Sequence, residues 1–139
     1  MQVFIIGSPL DTAMCLDKKR LNKQIIECGQ ILDAIEGKIS AWANHPCTIQ
    51  YKDNVLWLRM YKTCLLLYKN GDIGNSYIFS ELSNALYKPL WHTQDYFDNM
   101  KRRLYTKNHE HYKQWKILGE SYENWYWVDN KWKIYKQTK

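Results

Sequence analysis

A dense set of charged and amide side chains lies near the start of the chain, in the run LDKKRLNKQIIECGQILDAI of residues 16–35. If this run is helical, its apolar residues form one stripe. Arg20, Gln24 and Glu27 then fall on a line about 60–120° to one side of the stripe, and Lys23 lies further round. Cations suit phosphate, an amide suits a base edge, and a carboxylate suits proton transfer. The run therefore predicts a polar cluster at the rim of a nucleic-acid groove.

The same run has a second interpretation, as the solvated face of an ordinary helix. Side chains of opposite charge three or four residues apart stabilise an exposed helix by about 0.2–0.5 kcal/mol per pair. Such pairs need no ligand, and the residue types by themselves leave both interpretations open.

A further polar group follows in the run WANHP, where Asn44 and His45 precede Pro46. Proline is favoured in the first turn of a helix, so this run predicts a helix start. Asn44 and His45 are also suited to contact a phosphate or an acid beside the charged flank of residues 16–35. The two interpretations are compatible.

Basic residues alternate with aromatic ones in the second half of the chain, in MKRRLYTK, in YKQWK and in the tail WYWVDNKWKIYK. Such a mixture can track phosphates without sequence preference and stack on bases. We expect a DNA-contacting surface built from Arg102, Arg103, Lys107, Lys131, Trp132 and Lys133. The alternatives are an exposed helix face at the edge of the core and a hairpin that covers the core with its rings.

Composition and charge agree with an anionic partner. The 139 residues include 20 Lys and Arg against 14 Asp and Glu, which gives a net charge of +6, and the chain holds 7 Trp and 11 Tyr. A basic balance favours nucleic acid as a partner. The sequence contains neither a glycine-rich phosphate loop nor G-x-S-x-G, which argues against nucleotide hydrolysis and an α/β-hydrolase.

Metal, membrane and disulfide chemistry are not expected. On a helix, His109 and His111 would point to nearly opposite sides, and the four cysteines lack the C-x-x-C spacing of many metal sites. No apolar run reaches the ~20 residues of a membrane span. We expect reduced cysteines and a cytoplasmic protein, in the host cytoplasm if a phage encodes it.

The order of residues in the first half resembles the pyrimidine-dimer DNA glycosylase/endonuclease V family, in its phage and bacterial branch. Residues 16–32 follow the pattern L-D-x-x-R-L-x-K-Q-x-x-E-x-x-Q-I-L, and residues 42–46 follow W-x-N-H-P. The run KRRLYTKNHEHYKQW and the ending from Trp125 to Lys136 resemble the family more loosely.

The resemblance implies that the protein flips a nucleotide out of duplex DNA and cuts the glycosylic bond with an N-terminal amine. The amine forms an imine with the sugar, a helix glutamate assists, here Glu27, and no cofactor is required. An α-amine has a pKa of about 7.7–8.0 against about 10.4 for lysine, so more of it is neutral at pH 7.

The start of the chain leaves the nucleophile open between two groups. The bulky Gln2 follows Met1, so Met1 is expected to stay in place, and the nucleophile is then the amine of Met1 or a lysine. The stretch before the family pattern is a few residues longer than in the family. The distance between the amine and Glu27 is therefore not set by the sequence.

The hydrophobic pattern predicts a mostly α, compact single-domain fold over residues 1–139, with a C-terminal β-hairpin or extended tail at NWYWVDNKWKIYKQ. Ser8 and Pro9 predict a short helix, with a bend or break near Asp17 before the long helix that Gly37 ends. Later elements are expected to be a long helix over residues 44–71 that is apolar on nearly all sides, a short helix that Pro89 breaks, a helix capped by Thr93, and a helix from Asn108 to Gly119.

These observations favour a DNA glycosylase and abasic-site lyase that acts on damaged or modified bases in duplex DNA as a monomer. Two alternatives remain: a related protein that binds DNA without cutting it, and a small phage accessory protein that binds a host protein. A steep loss of DNA affinity with rising salt would separate the first two from the third.

Overall fold

The computed structural model of the chain describes residues 2–135, and its fold is mostly α with one small hairpin, as the sequence predicts. The elements are α1 (Pro9–Cys15), α2 (Lys18–Ile35), α3 (Pro46–Tyr51), α4 (Val55–Lys69), α5 (Ile73–Leu86), α6 (Gln94–Lys107), a 3₁₀ helix (Lys113–Leu118), β1 (Asn124–Val128) and β2 (Lys131–Tyr135). Among these described residues, no helix is both long enough and apolar enough to cross a membrane.

A segment without helix or strand, residues 2–6, precedes the first helix and is buried along its whole length. Its backbone pairs with side chains instead of a neighbouring strand. Phe4 N–H donates to Gln24 Oε1, and the Ile6 N–H donates to Thr12 Oγ1 at 3.1 Å. The Tyr61 hydroxyl donates to the Phe4 carbonyl. The start of the chain is therefore fixed against α1, α2 and α4.

The break expected near Asp17 is confirmed. Helix α1 begins after Ser8, whose hydroxyl accepts from the Asp11 N–H, and it ends at Cys15. Leu16 and Asp17 are extended, and α2 starts at the next residue. Gly37, with a φ of 76°, follows the end of α2, as a left-handed helix end requires.

The single long helix expected over residues 44–71 is wrong, because the chain turns between α3 and α4. The turn comprises residues 52–54, where the Asn54 N–H donates to the Tyr51 carbonyl at 2.9 Å. Asp and Asn have low helix propensity, which permits a turn at Asp53 and Asn54 inside an otherwise apolar pattern.

Helix α4 is central but not apolar on all sides. It packs against α1, α2 and α5. Its buried residues are Trp57, Leu58, Tyr61, Cys64 and Leu65, whereas Leu56 and Leu66 are exposed. Rings from several elements gather around it, with Trp57 stacked between Tyr51 and Tyr61 at centroid distances of 5.7 and 5.0 Å. Many of the aromatic residues are therefore part of the core.

The second half of the chain follows its capping signals closely. Asp72 and Thr93 cap α5 and α6 through their side chains. The helix expected from Asn108 is shorter than predicted and is a 3₁₀ helix. Asn108 Oδ1 accepts from the His111 N–H at 3.0 Å, which holds the chain in a turn before the helix can begin.

The hairpin pairs β1 with β2 in antiparallel register, with Trp127 opposite Trp132. Asp129 and Asn130 both have positive φ, 55° and 57°, which is the geometry of a two-residue type I′ turn. The hairpin packs on α3, and the Trp127 N–H donates to Gln50 Oε1 at 3.1 Å. The predicted hairpin is confirmed as far as Tyr135, and its last residues lie outside the described part of the chain.

Candidate functional site

A pocket of about 160 Å³ lies where the N-terminal segment, the first half of α2 and the last turns of α6 meet. It brings together residues far apart in sequence. Its lining comprises Gln2, Phe4, Lys19, Arg20, Lys23, Gln24, Glu27, Arg103 and Lys107. Five of these residues are basic and one is acidic, so the pocket favours an anionic ligand.

The Glu27 carboxylate lies at the centre of the polar contacts in this pocket. Its Oε2 accepts the backbone N–H of Gln2 at 3.1 Å, and its Oε1 lies 3.9 Å from Lys23 Nζ. The carboxyl group is mostly buried, whereas the Lys23 side chain is mostly exposed. The backbone nitrogen of the second residue therefore lies beside Glu27.

Gln24 is fully enclosed by the protein. Its Nε2 donates to the Gln2 carbonyl at 2.9 Å, and its Oε1 accepts from the Phe4 N–H. Both ends of the amide therefore bond to the N-terminal segment. In this arrangement Gln24 holds the segment beside Glu27 and presents no free amide to a base edge.

Arg20 joins the start of α2 to the end of α6. Its Nη1 donates to Asp17 Oδ2 at 3.1 Å, and its Nη2 to the Lys107 carbonyl at 3.4 Å. Asp17 also accepts a hydrogen bond from the Tyr112 hydroxyl, and that hydroxyl accepts the Asp17 N–H at 2.9 Å. Burial alone would raise the pKa of Asp17, but Tyr112 and Arg20 outweigh it and hold that pKa below its ordinary value.

Arg103 and Lys107 lie one turn apart on α6 and face the pocket. Arg103 is held by Asn124 Oδ1, and its guanidinium lies 5.3 Å from the centre of the Tyr122 ring. Partial burial and the positive charges of its basic neighbours lower the pKa of Lys107, against the opposing effect of Glu27. Partial burial and neighbouring positive charges therefore disfavour the charged form of Lys107, and a bound anion would offset this effect.

The other basic and aromatic candidates lie outside the pocket. Arg102 is adjacent to Arg103 in sequence but does not line it. Trp132 stacks on the buried Tyr96 at 5.4 Å with an angle of 20° between the rings, so one of its faces is covered by the core. Lys131 and Lys133 lie on β2, where Lys133 Nζ is 3.7 Å from Asp129. The structure does not join this group to the pocket in one continuous lining.

Asn44 and His45 lie at the start of α3, also outside the pocket lining. Asn44 is exposed. His45 Nδ1 accepts the Cys47 N–H at 3.1 Å and caps the helix. Burial lowers the pKa of His45, which favours the neutral ring that this cap needs. Its ring also contacts the edges of Trp42 and Tyr126.

Sequence reasoning missed two features of the site. The first is the contact of Asp17 with Tyr112, which lies 95 positions away and carries no local signal. The second is the buried N-terminal segment, whose short apolar run VFII was the available sign. Within residues 2–135, no group of three or more His, Cys, Asp and Glu side chains is arranged to hold a metal ion, and the four cysteines are free thiols.

Comparison with known proteins identifies a family that matches the first part of the chain. Residues 1–67 match the pyrimidine dimer DNA glycosylase family. The match confirms the resemblance carried by the motifs in α2 and in WANHP, and it supports a DNA glycosylase type of function. It includes the N-terminal segment and Glu27 but ends within α4, before Arg103 and Lys107. The chain matches no curated protein and no solved structure.

Proposed function

We propose that the protein is a DNA glycosylase with abasic-site lyase activity, acting on damaged or modified bases in duplex DNA. The single observation that carries this proposal is the 3.1 Å contact between the Gln2 backbone nitrogen and the Glu27 carboxylate, inside a pocket with five basic residues. The nucleophile is an α-amine at the start of the chain, and Glu27 assists it. The reaction takes place in the cytoplasm, or in the host cytoplasm for a phage protein, and uses neither metal nor cofactor.

The amine belongs to Met1, which lies outside the described residues, or to Gln2 if Met1 is removed. In the second case the amine nitrogen is the atom that lies 3.1 Å from the carboxylate. An α-amine is the better nucleophile near neutral pH because its pKa lies about 2–3 units below that of lysine.

The chemistry follows from this placement. The neutral amine attacks C1′ of the flipped nucleotide, and the bond from C1′ to the base nitrogen breaks, so that the base leaves with the bonding electrons and takes a proton from solvent. Glu27 accepts the proton that the attached amine loses and donates it to the sugar oxygen O4′ as the bond from C1′ to O4′ breaks, which opens the sugar ring and leaves the imine. Loss of a proton from C2′ then allows the bond to the 3′ oxygen to break, which is the lyase step. Water finally hydrolyses the imine and frees the amine.

The basic residues of the pocket position the DNA. Lys19, Lys23 and Lys107 offer ammonium groups to phosphates on either side of the extruded nucleotide, and Arg20 and Arg103 add a positive field from fixed positions. Such contacts give affinity without sequence information and are weakened by salt. Selection of the damaged base then comes from the cost of flipping the nucleotide out, because a damaged base pair is more easily opened than an intact one.

Borohydride trapping on duplex DNA with an abasic site tests the proposal, because reduction of an imine leaves a stable covalent adduct. We expect the unmodified protein to be trapped. Acetylation or extension of the N-terminus should abolish the adduct, whereas Lys23→Ala and Lys107→Ala should keep it. Trapping that survives acetylation and disappears with either lysine variant would assign the nucleophile to that lysine.

The failure of trapping in every form would contradict the enzymatic proposal. Salt-sensitive binding to duplex DNA without trapping would then identify a DNA-binding relative that cuts nothing. This outcome is the second candidate because a retained Met1 makes the Gln2 nitrogen beside Glu27 an amide. Absence of both binding and trapping would leave the accessory protein that binds a host protein.

A further inference from the structure

Trp42 lies in the turn between α2 and α3 with a left-handed backbone, at a φ of 68°. Within residues 2–135, the other non-glycine residues with positive φ are Asp129 and Asn130, which belong to the types that tolerate this conformation. A bulky side chain does not tolerate it, so the backbone of Trp42 is strained. Glycine would adopt the same turn without strain. The turn itself therefore gives no reason for a tryptophan at this position.

The side chain of Trp42 is only loosely packed. The residue is 43% exposed, and Ala41, Ala43 and Asn44 beside it are exposed as well. In the described part of the chain, the ring of Trp42 meets the ring of His45, edge to face, at a centroid distance of 5.6 Å. An edge-to-face contact occupies at most one face of an indole. With this exposure, the ring is accessible to a planar ligand.

Trp42 is the outer end of a series of ring contacts. The ring of His45 also lies edge to face with Tyr126, at 6.1 Å. Tyr126 in turn contacts the ring of Tyr135 at 5.2 Å, across the hairpin. We call Trp42, His45, Tyr126 and Tyr135 the ring row. It joins the turn before α3 to the C-terminal hairpin.

The hairpin end of the ring row lies beside the pocket between α2 and α6. Asn124 precedes Tyr126 by two residues on β1, so the two side chains share a face of the hairpin. Asn124 Oδ1 accepts a hydrogen bond from Arg103, which lines the pocket. Burial raises the pKa of Tyr126 to about 12, and the charges of Arg103 and Glu27 are close enough to shift it in opposite directions. The row therefore runs from the edge of the pocket to the exposed indole of Trp42.

This continuity with the pocket indicates what kind of ligand the indole meets. Five basic residues line the pocket and the chain has a net charge of +6, so the polyanion expected beside the ring row is DNA. Every base has a π-face, and proteins that hold bases outside a duplex stack them on aromatic side chains. Strained residues persist where function requires their geometry. An exposed, strained tryptophan next to a DNA-binding pocket fits both conditions.

We propose that Trp42 stacks on an unpaired base of the DNA bound at the pocket, an inference that rests on the proposed function. Extrusion of a nucleotide unpairs the base that faced it, and single-stranded DNA offers unpaired bases directly. Both sources present the same π-face to the indole. Trp42 thereby adds affinity for opened DNA over intact duplex, a distinction that contacts with phosphates do not make.

Equilibrium binding of Trp42→Gly to fluorescently labelled DNA tests this inference. With a duplex that carries an abasic site opposite adenine, we expect affinity to fall roughly tenfold, the scale of one lost base stack. Affinity for intact duplex should stay the same. The plot of log affinity against log salt should keep its slope, because stacking releases no counterions. The melting temperature should stay close to that of the unmodified protein, since glycine relieves the backbone strain that opposes the lost ring contact.

Two further variants serve as controls. Trp42→Phe keeps an aromatic face and should restore affinity for the abasic duplex to within about threefold of the unmodified protein. Tyr87→Gly removes a ring that is 39% exposed just after α5 and lines no part of the pocket. This variant should bind every DNA as the unmodified protein does.

Two further DNA ligands separate the sources of the base. A duplex with abasic sites facing each other lacks the unpaired adenine, and Trp42→Gly should bind it as the unmodified protein does if that adenine is the stacked base. Weaker binding of the variant to a single-stranded oligonucleotide, without an effect on the abasic duplex, would assign the stacked base to single-stranded DNA. Either pattern supports the proposal.

Three results would overturn it. The first is a folded Trp42→Gly protein that binds abasic duplex and single-stranded DNA as tightly as the unmodified protein. The second is an equal loss of affinity for intact duplex, which would make Trp42 a general duplex contact. The third is a parallel fall in melting temperature, which would make it a packing residue. If the unmodified protein is still trapped by borohydride on abasic DNA, each of these results removes this inference and leaves the proposed function in place.

Discussion

Helices α2 and α5 both depart from the ordinary amphipathic pattern, and they do so in opposite ways. Helix α2 buries Gln24 and Glu27, whose polar groups bond to the N-terminal segment of the chain. Helix α5 buries serines and exposes Ile78 and Leu82. In α2, therefore, a buried amide and carboxyl fix a distant backbone segment beside a pocket. In α5, small buried side chains allow close packing and turn the large apolar residues outward.

The difference shows how buried polar residues are to be interpreted. A buried polar side chain contributes to a site when it fixes a segment that lines a pocket, as Glu27 does with Gln2. It serves packing when its partner lines no pocket, as with Ser83 and the Ser80 carbonyl at 2.8 Å. The matched substitutions below test this distinction on the two helices.

The largest difference is expected between two glutamates, one on each helix. Glu27→Gln keeps the shape of the side chain and removes its charge. It should lower turnover by roughly 10²-fold or more, the usual scale for general acid–base catalysis, with DNA affinity changed by less than about threefold because a neutral amide can still accept the Gln2 N–H. Glu81→Gln on α5 should change neither. Single-turnover cleavage and a binding titration measure the two effects.

A parallel loss of binding and melting temperature in Glu27→Gln would instead make Glu27 a structural partner of its basic neighbours. Wild-type cleavage, binding and stability in this variant would remove both roles from Glu27.

The next largest difference is expected in the free energy of unfolding, between substitutions of two buried hydrogen-bonding side chains. Gln24→Ala leaves the Phe4 N–H and the Gln2 carbonyl without their partner, and we expect a loss of about 1–3 kcal/mol in the free energy of unfolding. Ser83→Ala removes a donor whose acceptor, the Ser80 carbonyl, belongs to the same helix, and it should cost about 1 kcal/mol or less. Urea unfolding measures both. Equal losses would show that the N-terminal segment does not depend on Gln24.

Substitutions of two lysines compare the DNA affinity of the pocket with that of the surface near α5. Lys107→Ala should weaken binding to all duplexes alike and flatten the plot of log affinity against log salt by about one unit. Lys88→Ala, on an exposed residue just after α5, should leave that slope unchanged. Because the pKa of Lys107 is lowered, the contribution of this residue should also fade with rising pH sooner than that of an ordinary lysine. Equal slopes for the two variants would exclude Lys107 from phosphate contact.

The same measurement of salt dependence tests each part of the DNA-contacting surface that the sequence predicts. Arg102 and Arg103 were expected to act together, but of the two only Arg103 lines the pocket. If DNA follows the pocket alone, Arg103→Ala should flatten the salt slope and Arg102→Ala should not. Flattening by both, together with Lys131→Ala and Lys133→Ala, would extend the contact over the hairpin.

The smallest difference concerns the aspartates at the starts of the two helices. The folded protein holds the pKa of both Asp17 and Asp72 below the ordinary value of 3.8. A carboxylate with a lowered pKa stabilises the fold above its unfolded value, and the stabilisation is lost as pH falls through the folded value. Asp17→Asn should therefore reduce the loss of melting temperature below pH 3.8 more than Asp72→Asn does, because Asp17 is buried. An acid transition unchanged by Asp17→Asn would contradict this.

The sequence predicted the elements whose signals are local. The cap at Thr93, the turn at Asp129 and Asn130, and the break near Asp17 each depend on a few adjacent residues. The turn within residues 44–71 was missed because an apolar pattern continues on both sides of residues 52–54, and only the tertiary packing of α3 shows where the chain bends.

The candidate site was predictable in part for the same reason. Arg20, Lys23, Gln24 and Glu27 lie on one side of a helix, so helical geometry predicts that they are neighbours. Which of them is free for a ligand depends on the N-terminal segment, and that packing has no periodic signal. Both ends of the Gln24 amide bond to this segment, so Gln24 is not free for a ligand. The presence of Lys107 in the pocket depends on how α6 packs against α2.

The most direct test of the central claim is to identify the residue that carries the sugar after borohydride trapping on abasic duplex DNA. Protease digestion and mass spectrometry of the adduct should locate it on the first peptide of the chain, at the α-amine of Met1, or of Gln2 if the intact mass shows that Met1 is absent. An adduct on the side chain of Lys23, Lys107 or any other lysine would contradict the claim that the amine beside Glu27 is the nucleophile.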